Sequence, residues 1–249
     1  VSGPAETRSA VRRDHAVLTP ESQVPAPLAG WSATQGIVLV SPRMGARFSQ
    51  VLAVMDPGAL AAAPLPGIER FLYVLEGGVR LVIGESEHDL GPGSFALLPA
   101  DAAHMLLAWA PTRICLIEKP YVPLAGVAVP EPLIGREALV SPEPLNGDPD
   151  LLVRALVPDD PGHDLAVNTM AYAPGAALGQ VEVHVMEHGL LMLEGRMVYR
   201  LGESWYPVEA GDAIWMAPHC PQWACAYGKG QARYLIYKDW RRDPLGALP

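Results

Sequence analysis

Along the chain, apolar residues gather in short blocks and not at helical spacing. "FLYVL", "VRLVI", "SFALL", "RICLIE", "MVYRL", "AIWMA" and "RYLIY" are each a few residues long, rich in β-branched and aromatic side chains, and bounded by Gly, Pro or Asp. Short strands with turn signals between them predict a sandwich or barrel. The 24 Gly and 26 Pro are spread among the blocks and form no single tract. A chain that is 50% hydrophobic has enough apolar surface to fold, which excludes a disordered reading.

The blocks recur. "LEG" stands at Leu75 to Gly77 and again at Leu193 to Gly195, a shift of 118 residues. The same shift carries "GES" at Gly84 to Ser86 onto Gly202 to Ser204, and Gly93 of "GSFALLPA" onto Gly211 of "GDAIWMAP". With one further residue it brings the end of "RICLIEK", Lys119, onto the end of "RYLIYK", Lys238, segments that begin at Arg113 and Arg233. Matches in one order at one offset indicate an internal duplication. The expected organisation is an arm over residues 1–34, a first β domain over 35–121, a Pro-rich connection over 122–149 and a second β domain over 150–249.

Inside the second copy the apolar pattern is broken in a specific way. "VEVHVMEHGLLMLEG", Val181 to Gly195, sets Glu182, His184 and His188 among Val, Met and Leu. If Val181 to Val185 is extended, alternate side chains share a face, so Glu182 and His184 project together, with His188 where the strand resumes. Gln222 follows Gly211 in "GDAIWMAPHCPQW". Two imidazoles, a carboxylate and an amide suit a divalent ion of the Mn, Fe, Ni or Zn group. Taken singly, a His in an apolar strand is ordinarily a hydrogen-bonded core or edge residue, but several polar groups facing one interior need a common partner to offset desolvation.

The first copy is the control. The shift of 118 places Pro64 at Glu182, Pro66 at His184, Arg70 at His188 and His104 at Gln222. The scaffold persists without the ligands, so the scaffold does not require them. One metal site, in the second domain, is expected, with His104 a hydrogen-bonded core or rim residue. The second copy also has Tyr199 where the first has Leu81, Tyr234 where it has Cys115, and Lys238 matching Lys119. Tyr234 and Lys238 share a strand face, so they either flank the metal and hold an anionic substrate or are a core aromatic and a solvated strand end. His219, Cys220 and Cys225 lie near Gln222 as weaker candidates.

Charge and cysteine content narrow the function classes. A formal charge of −9 and a pI near 5.2 oppose nucleic acid or an anionic membrane as partner. Three cysteines without a C-x-x-C pair do not make a disulfide scaffold and point to a reducing compartment. No apolar run reaches the ~18 residues of a membrane span, and the start lacks the apolar block of a signal peptide, so a cytoplasmic protein is expected. No G-x-S-x-G, P-loop or G-x-G-x-x-G occurs in a strand-to-helix context.

These motifs resemble the cupins, whose first motif is G-x5-H-x-H-x3-E-x6-G and whose second is G-x5-P-x-G-x2-H. Glu182, His184, His188 and Gly195 keep the first spacing, with Glu and His exchanged at its ends; Gly211 to Gln222 keeps the second, with Gln for His and Pro218 one residue late. The altered ligand set, with "HVMEHGLLMLEG", "GDAIWMAPHCPQW", "RYLIYKD" and the opening "TRSAVRRDHAVLTPESQVPAPLAGW", is similar to the (S)-ureidoglycine aminohydrolase family of purine catabolism over nearly the whole chain. The resemblance implies an all-β fold of two tandem cupin (double-stranded β-helix, jelly-roll) barrels with an N-terminal arm. It implies Mn2+ held by Glu182, His184, His188 and Gln222, and substrate contacts from Tyr199, Tyr234 and Lys238. It further implies release of ammonia from ureidoglycine, a small carboxylate substrate, to give ureidoglycolate. An iron-dependent dioxygenase, a sugar isomerase and a non-enzymatic metal or ligand module share the fold and stand as alternatives. An arm without its own core is expected to pack on a neighbouring subunit in a homo-oligomer.

Overall fold

The computed structural model describes residues 7–242; residues 1–6 of the expected arm and 243–249 of the expected second domain lie outside the described residues. The regular elements among them are β-strands and three short 3-10 turns. No helix is long and apolar enough to cross a membrane. Contacts divide the chain into two compact units: residues 24–141 with 156–164, and residues 7–23 with 142–155 and 165–242.

In the first unit a seven-stranded antiparallel sheet has Ile68–Glu76 and Thr112–Pro120 near its centre, and a four-stranded sheet contains Leu60–Ala62, His104–Ala108, Val79–Ile83 and Ser86–Leu90. Leu72, Val74, Ala96, Leu98 and Leu116 from the larger sheet meet Leu81, Leu106 and Ala108 from the smaller in one core. The second unit repeats the arrangement. Its eight-stranded sheet places His188–Glu194 between Ala213–Met216 and Ala232–Asp239, and a three-stranded sheet holds Ser204–Glu209, Arg196–Leu201 and Gln222–Ala226. Met170, Leu190, Met192, Ile214 and Ile236 pack there against Met197, Leu201, Val208 and Ala224.

The repeated "LEG" has a steric cause. Gly77 and Gly195 both sit in the left-handed region, at φ 71° and 74°. A Cβ on Gly77 would lie 2.1 Å from the Pro111 carbonyl oxygen, and one on Gly195 2.3 Å from that of Gln231. Only glycine fits where each hairpin crosses the neighbouring strand.

Strand register corrects the alignment of the two copies. Arg70 pairs with Glu118 in the first unit, and His188 pairs with Lys238 in the second. Ile114 lies opposite Val74 just as Tyr234 lies opposite Met192, each next to a bulge. The last strand is therefore shifted by 120 residues along its length. The counterpart of Lys238 is Glu118 and not Lys119, and that of Tyr234 is Ile114 and not Cys115.

The arm and the connection differ from their expected boundaries. His15–Leu18 pairs with Ala213–Met216 of the same chain, and Arg8 donates both terminal nitrogens to the buried Asp212, at 2.8 and 3.0 Å. The arm thus finds its partner in the second unit's sheet edge, whereas Trp31 bridges Ala61 in the first unit. Within 122–149, Leu133–Arg136 adds a strand beside Ser94–Leu98 and Glu143–Leu145 adds one beside Asp148–Ala155. Proline-rich segments suit such edges, where a missing N–H disrupts no central ladder. Residues 156–164 belong to the first unit because Asp164, fully buried, takes the Lys119 ammonium and the Val122 N–H.

Candidate metal centre and active site

Four of the expected ligands meet at one end of the second unit's core. Glu182 and Gln222 form an isolated antiparallel bridge, each N–H donating to the other's carbonyl at 2.8 and 2.9 Å, which sets their side chains next to each other. Residues 183–187 are irregular, so Val181 to Val185 is not the regular strand expected, although the strand does resume at His188. The His184 carbonyl accepts the His219 N–H at 2.8 Å, and the Glu187 N–H donates to the Asp239 carboxylate at 2.6 Å, so this backbone is held by isolated contacts instead of a ladder. The alternation survives nonetheless: Val181 and Val183 are exposed while Glu182 and His184 turn inward. His188 opens the next strand and is buried.

His184 Nε2 lies 3.2 Å from His188 Nε2, 2.9 Å from the Gln222 amide and 3.9 Å from Glu182 Oε2. Ligand atoms at right angles about 2.1 Å from a shared ion stand about 3 Å apart, which the two imidazole Nε2 atoms match; Glu182 lies wider, and Gln222 presents its amide nitrogen, so its oxygen would have to turn inward to ligate. The His188 tautomer is suited to a metal as well. His188 Nδ1 donates to the Glu187 carbonyl at 2.8 Å, which leaves its Nε2 lone pair facing His184. Burial, reinforced by Lys238 and His184, lowers the His188 pKa well below the ordinary range; burial also lowers that of His184 against the pull of Glu182. Both imidazoles are therefore neutral and able to ligate.

The substrate-contact candidates surround these donors. Lys238 is the cross-strand neighbour of His188, and its side chain makes no hydrogen bond or ion pair among the described residues. Burial lowers its pKa, and Glu182 opposes that shift. Tyr234 and Tyr199 are buried, their ring centroids 6.4 Å apart. A third phenol, Tyr172, missed in the sequence, shares a hydrogen bond of 2.9 Å with Tyr234. Burial raises all three phenols well above their usual range, so each keeps its proton and can donate. Strand register supplies the signal that the sequence lacked. Tyr172 lies opposite Ala232 as Met55 lies opposite Thr112, so it is a tyrosine gained by the second copy, like Tyr199 and Tyr234.

The weaker candidates play other parts. His219 is exposed, and it is its backbone that touches the site. Cys220 is buried, and burial pushes its thiol up to about 11, which disfavours a thiolate ligand; Cys225 donates weakly to backbone carbonyls. Asp14, His15 and Cys220 also bring three donor atoms together, but both His15 nitrogens are engaged, by Asp14 at 2.9 Å and the Tyr206 hydroxyl at 2.8 Å. That group ties the arm to the sheet. In the first unit, His104 Nδ1 donates to the Ala102 carbonyl at 2.7 Å, and its Nε2 accepts from Arg70 at 3.0 Å. It is the satisfied histidine expected.

Residues 168–237 match the cupin domain family. Over 245 residues the chain is 43% identical to the "Probable (S)-ureidoglycine aminohydrolase" of Oryza sativa subsp. japonica, covering 97% of this chain and 78% of that protein. It is 41% identical over 245 residues to the (S)-ureidoglycine aminohydrolase of Arabidopsis thaliana, covering 97% and 81%. The crystal structure of protein Ylba from E. coli superposes with a TM-score of 0.84 at 28% identity, covering 95% of this chain and 96% of that one. With a duplicated all-β fold, a convergent donor set of two imidazoles, a carboxylate and an amide, and relatives of this similarity over nearly its full length, the chain belongs to the (S)-ureidoglycine aminohydrolase family of two-domain cupins.

Proposed function

We infer that the protein hydrolyses (S)-ureidoglycine to (S)-ureidoglycolate and ammonia in purine degradation, with Mn2+ as its metal. The observation that carries the substrate assignment is Lys238 beside His188, whose ammonium has no hydrogen-bond or ion-pair partner among the described residues and only the longer-range attraction of Glu182. A half-buried, partly desolvated cation is stabilised when an anion meets it, and the substrate carboxylate is that anion. Glu182, His184, His188 and Gln222 would hold the metal, which supplies a Lewis acid and lowers the pKa of water.

The rest of the chemistry falls to the chain. The reacting carbon of ureidoglycine bears an amine, a ureido nitrogen and a carboxylate. Departure of the amine is assisted by the ureido lone pair and requires a proton on the leaving nitrogen. Tyr199 and Tyr234, protonated because they are buried, are the donors in place for that nitrogen or for the ureido group. Lys238 fixes the carboxylate, so the carbon presents one face to water and the product has one hand.

Because ureidoglycine also loses ammonia unaided, the test follows product chirality as well as rate. Purified protein supplied with manganese is expected to release ammonia faster than buffer and to form one enantiomer of ureidoglycolate. Racemic product at the buffer rate rejects the assignment. Parallel measurement of oxygen uptake separates it from a dioxygenase, which would consume oxygen.

A further inference from the structure

The first barrel has lost its metal ligands but keeps a cavity. It is a half-open cleft of about 770 Å³, lined mainly by apolar residues, among them Trp31, Phe48, Pro66 and Leu116, with Arg47, Arg70, Glu118 and Lys119 as its charged members. A volume of this size with mostly apolar walls and a few converging polar groups is that of a small-molecule site. Arg70 is 2% exposed and stacks over Trp31 at 5.3 Å. Its Nε donates to Glu118 Oε1 at 2.7 Å, and its Nη1 to the Ala62 carbonyl and to His104 at 2.9 and 3.0 Å. Among the described residues, neither Arg70 Nη2 nor Glu118 Oε2 has a hydrogen-bond partner.

The cavity wall thus offers an open cationic donor beside an open anionic acceptor, on register-paired residues of neighbouring strands. A ligand that satisfies both must carry a carboxylate and an N–H donor close together, as α-amino and α-ureido acids do. The apolar walls choose between these two, since an ammonium loses far more solvation than a neutral N–H. We propose that the first barrel is a second, non-catalytic binding site for a small α-ureido or α-acylamino carboxylate, which Arg70 takes by its carboxylate and Glu118 by its N–H. Arg70 and Glu118 stand where the second barrel has His188 and Lys238, so the duplication has kept the place of binding and removed the chemistry.

The probe is N-carbamoylglycine, a ureido acid without a leaving amine. Calorimetric titration is made in a Lys238→Met chain, so the second barrel lacks its cation and the reading is independent of any turnover. One equivalent per chain is expected, weakened at least tenfold by adding Arg70→Met. Since Arg70 is a buried crosslink whose loss endangers folding, Ala63→Trp, at an exposed residue of the cavity wall, is the second variant and is expected to abolish binding. No saturable binding in the Lys238→Met chain, or undiminished binding after Ala63→Trp, overturns the proposal.

Discussion

The two barrels place different chemistry on one register. Where the second sets His188 opposite Lys238, the first sets Arg70 opposite Glu118, and the first pair closes on itself in an ion pair of 2.7 Å while Lys238 has no partner among the described residues. The fold holds Arg70 through Nε and Nη1, whereas it gives the Lys238 ammonium no hydrogen bond among the described residues, so the second barrel leaves its whole cation for a ligand. The distinction supports the second barrel as the reactive one without reference to its metal. It also ranks the residues by what their loss should do.

The largest effect should follow removal of the donor set. A His184→Ala His188→Ala chain is expected to bind no metal and to fall to the spontaneous rate, whereas the parent binds one equivalent per chain. Elemental analysis checks this, and a second equivalent in the parent, or one kept in the variant, would mean that the first barrel also ligates. Next is Lys238→Ala. Loss of one partner from a desolvated ion pair typically costs about 2 to 5 kcal/mol, which converts to roughly 30- to 5,000-fold in kcat/KM. Metal content should not change. An unaltered kcat/KM removes Lys238 from the site and with it the contrast with Glu118.

Tyr172→Phe should act more gently. It removes the hydroxyl that meets Tyr234 at 2.9 Å and leaves the ring packing in place. One hydrogen bond is worth about 0.5 to 1.5 kcal/mol, so kcat should fall about two- to tenfold, with KM and metal content near their parent values. A fall in thermal stability without a change in kcat would make Tyr172 a core residue only.

What the sequence showed and what it hid follow from the same physics. Short apolar blocks and the paired "LEG" turns announced the duplicated β fold, because Gly77 and Gly195 are obligatory where a Cβ would strike backbone. Glu182, His184, His188 and Gln222 were legible since polar groups in an apolar run need a shared partner, and the first copy showed that the scaffold does not. The last strand was misaligned because "RICLIEK" and "RYLIYK" differ by one residue, and matching Lys to Lys concealed that Glu118 is the residue opposite Arg70. Tyr172 was hidden in a strand with no motif. The arm's place was hidden because its partners, Met216 and the buried Asp212, lie far away in sequence.

The smallest effect concerns the position His104 shares with Gln222, and it is one of stability. Burial, assisted by Arg70 and opposed by the Ala102 carbonyl bond, lowers the His104 pKa from 6.5 to about 4. Between those values the unfolded chain binds a proton that the folded chain refuses, so acid favours unfolding: the His104 contribution is complete above pH 6.5 and is lost as the pH falls towards 4. His104→Gln copies the second barrel, can still accept from Arg70, and does not titrate. Its melting temperature should therefore decline less than the parent's between pH 6.5 and pH 4, by about 2 to 4 °C for each kcal/mol recovered, with kcat/KM unchanged at neutral pH. Melting curves across that range decide the matter, and parallel declines in both proteins would show that His104 takes up its proton without opening the first barrel.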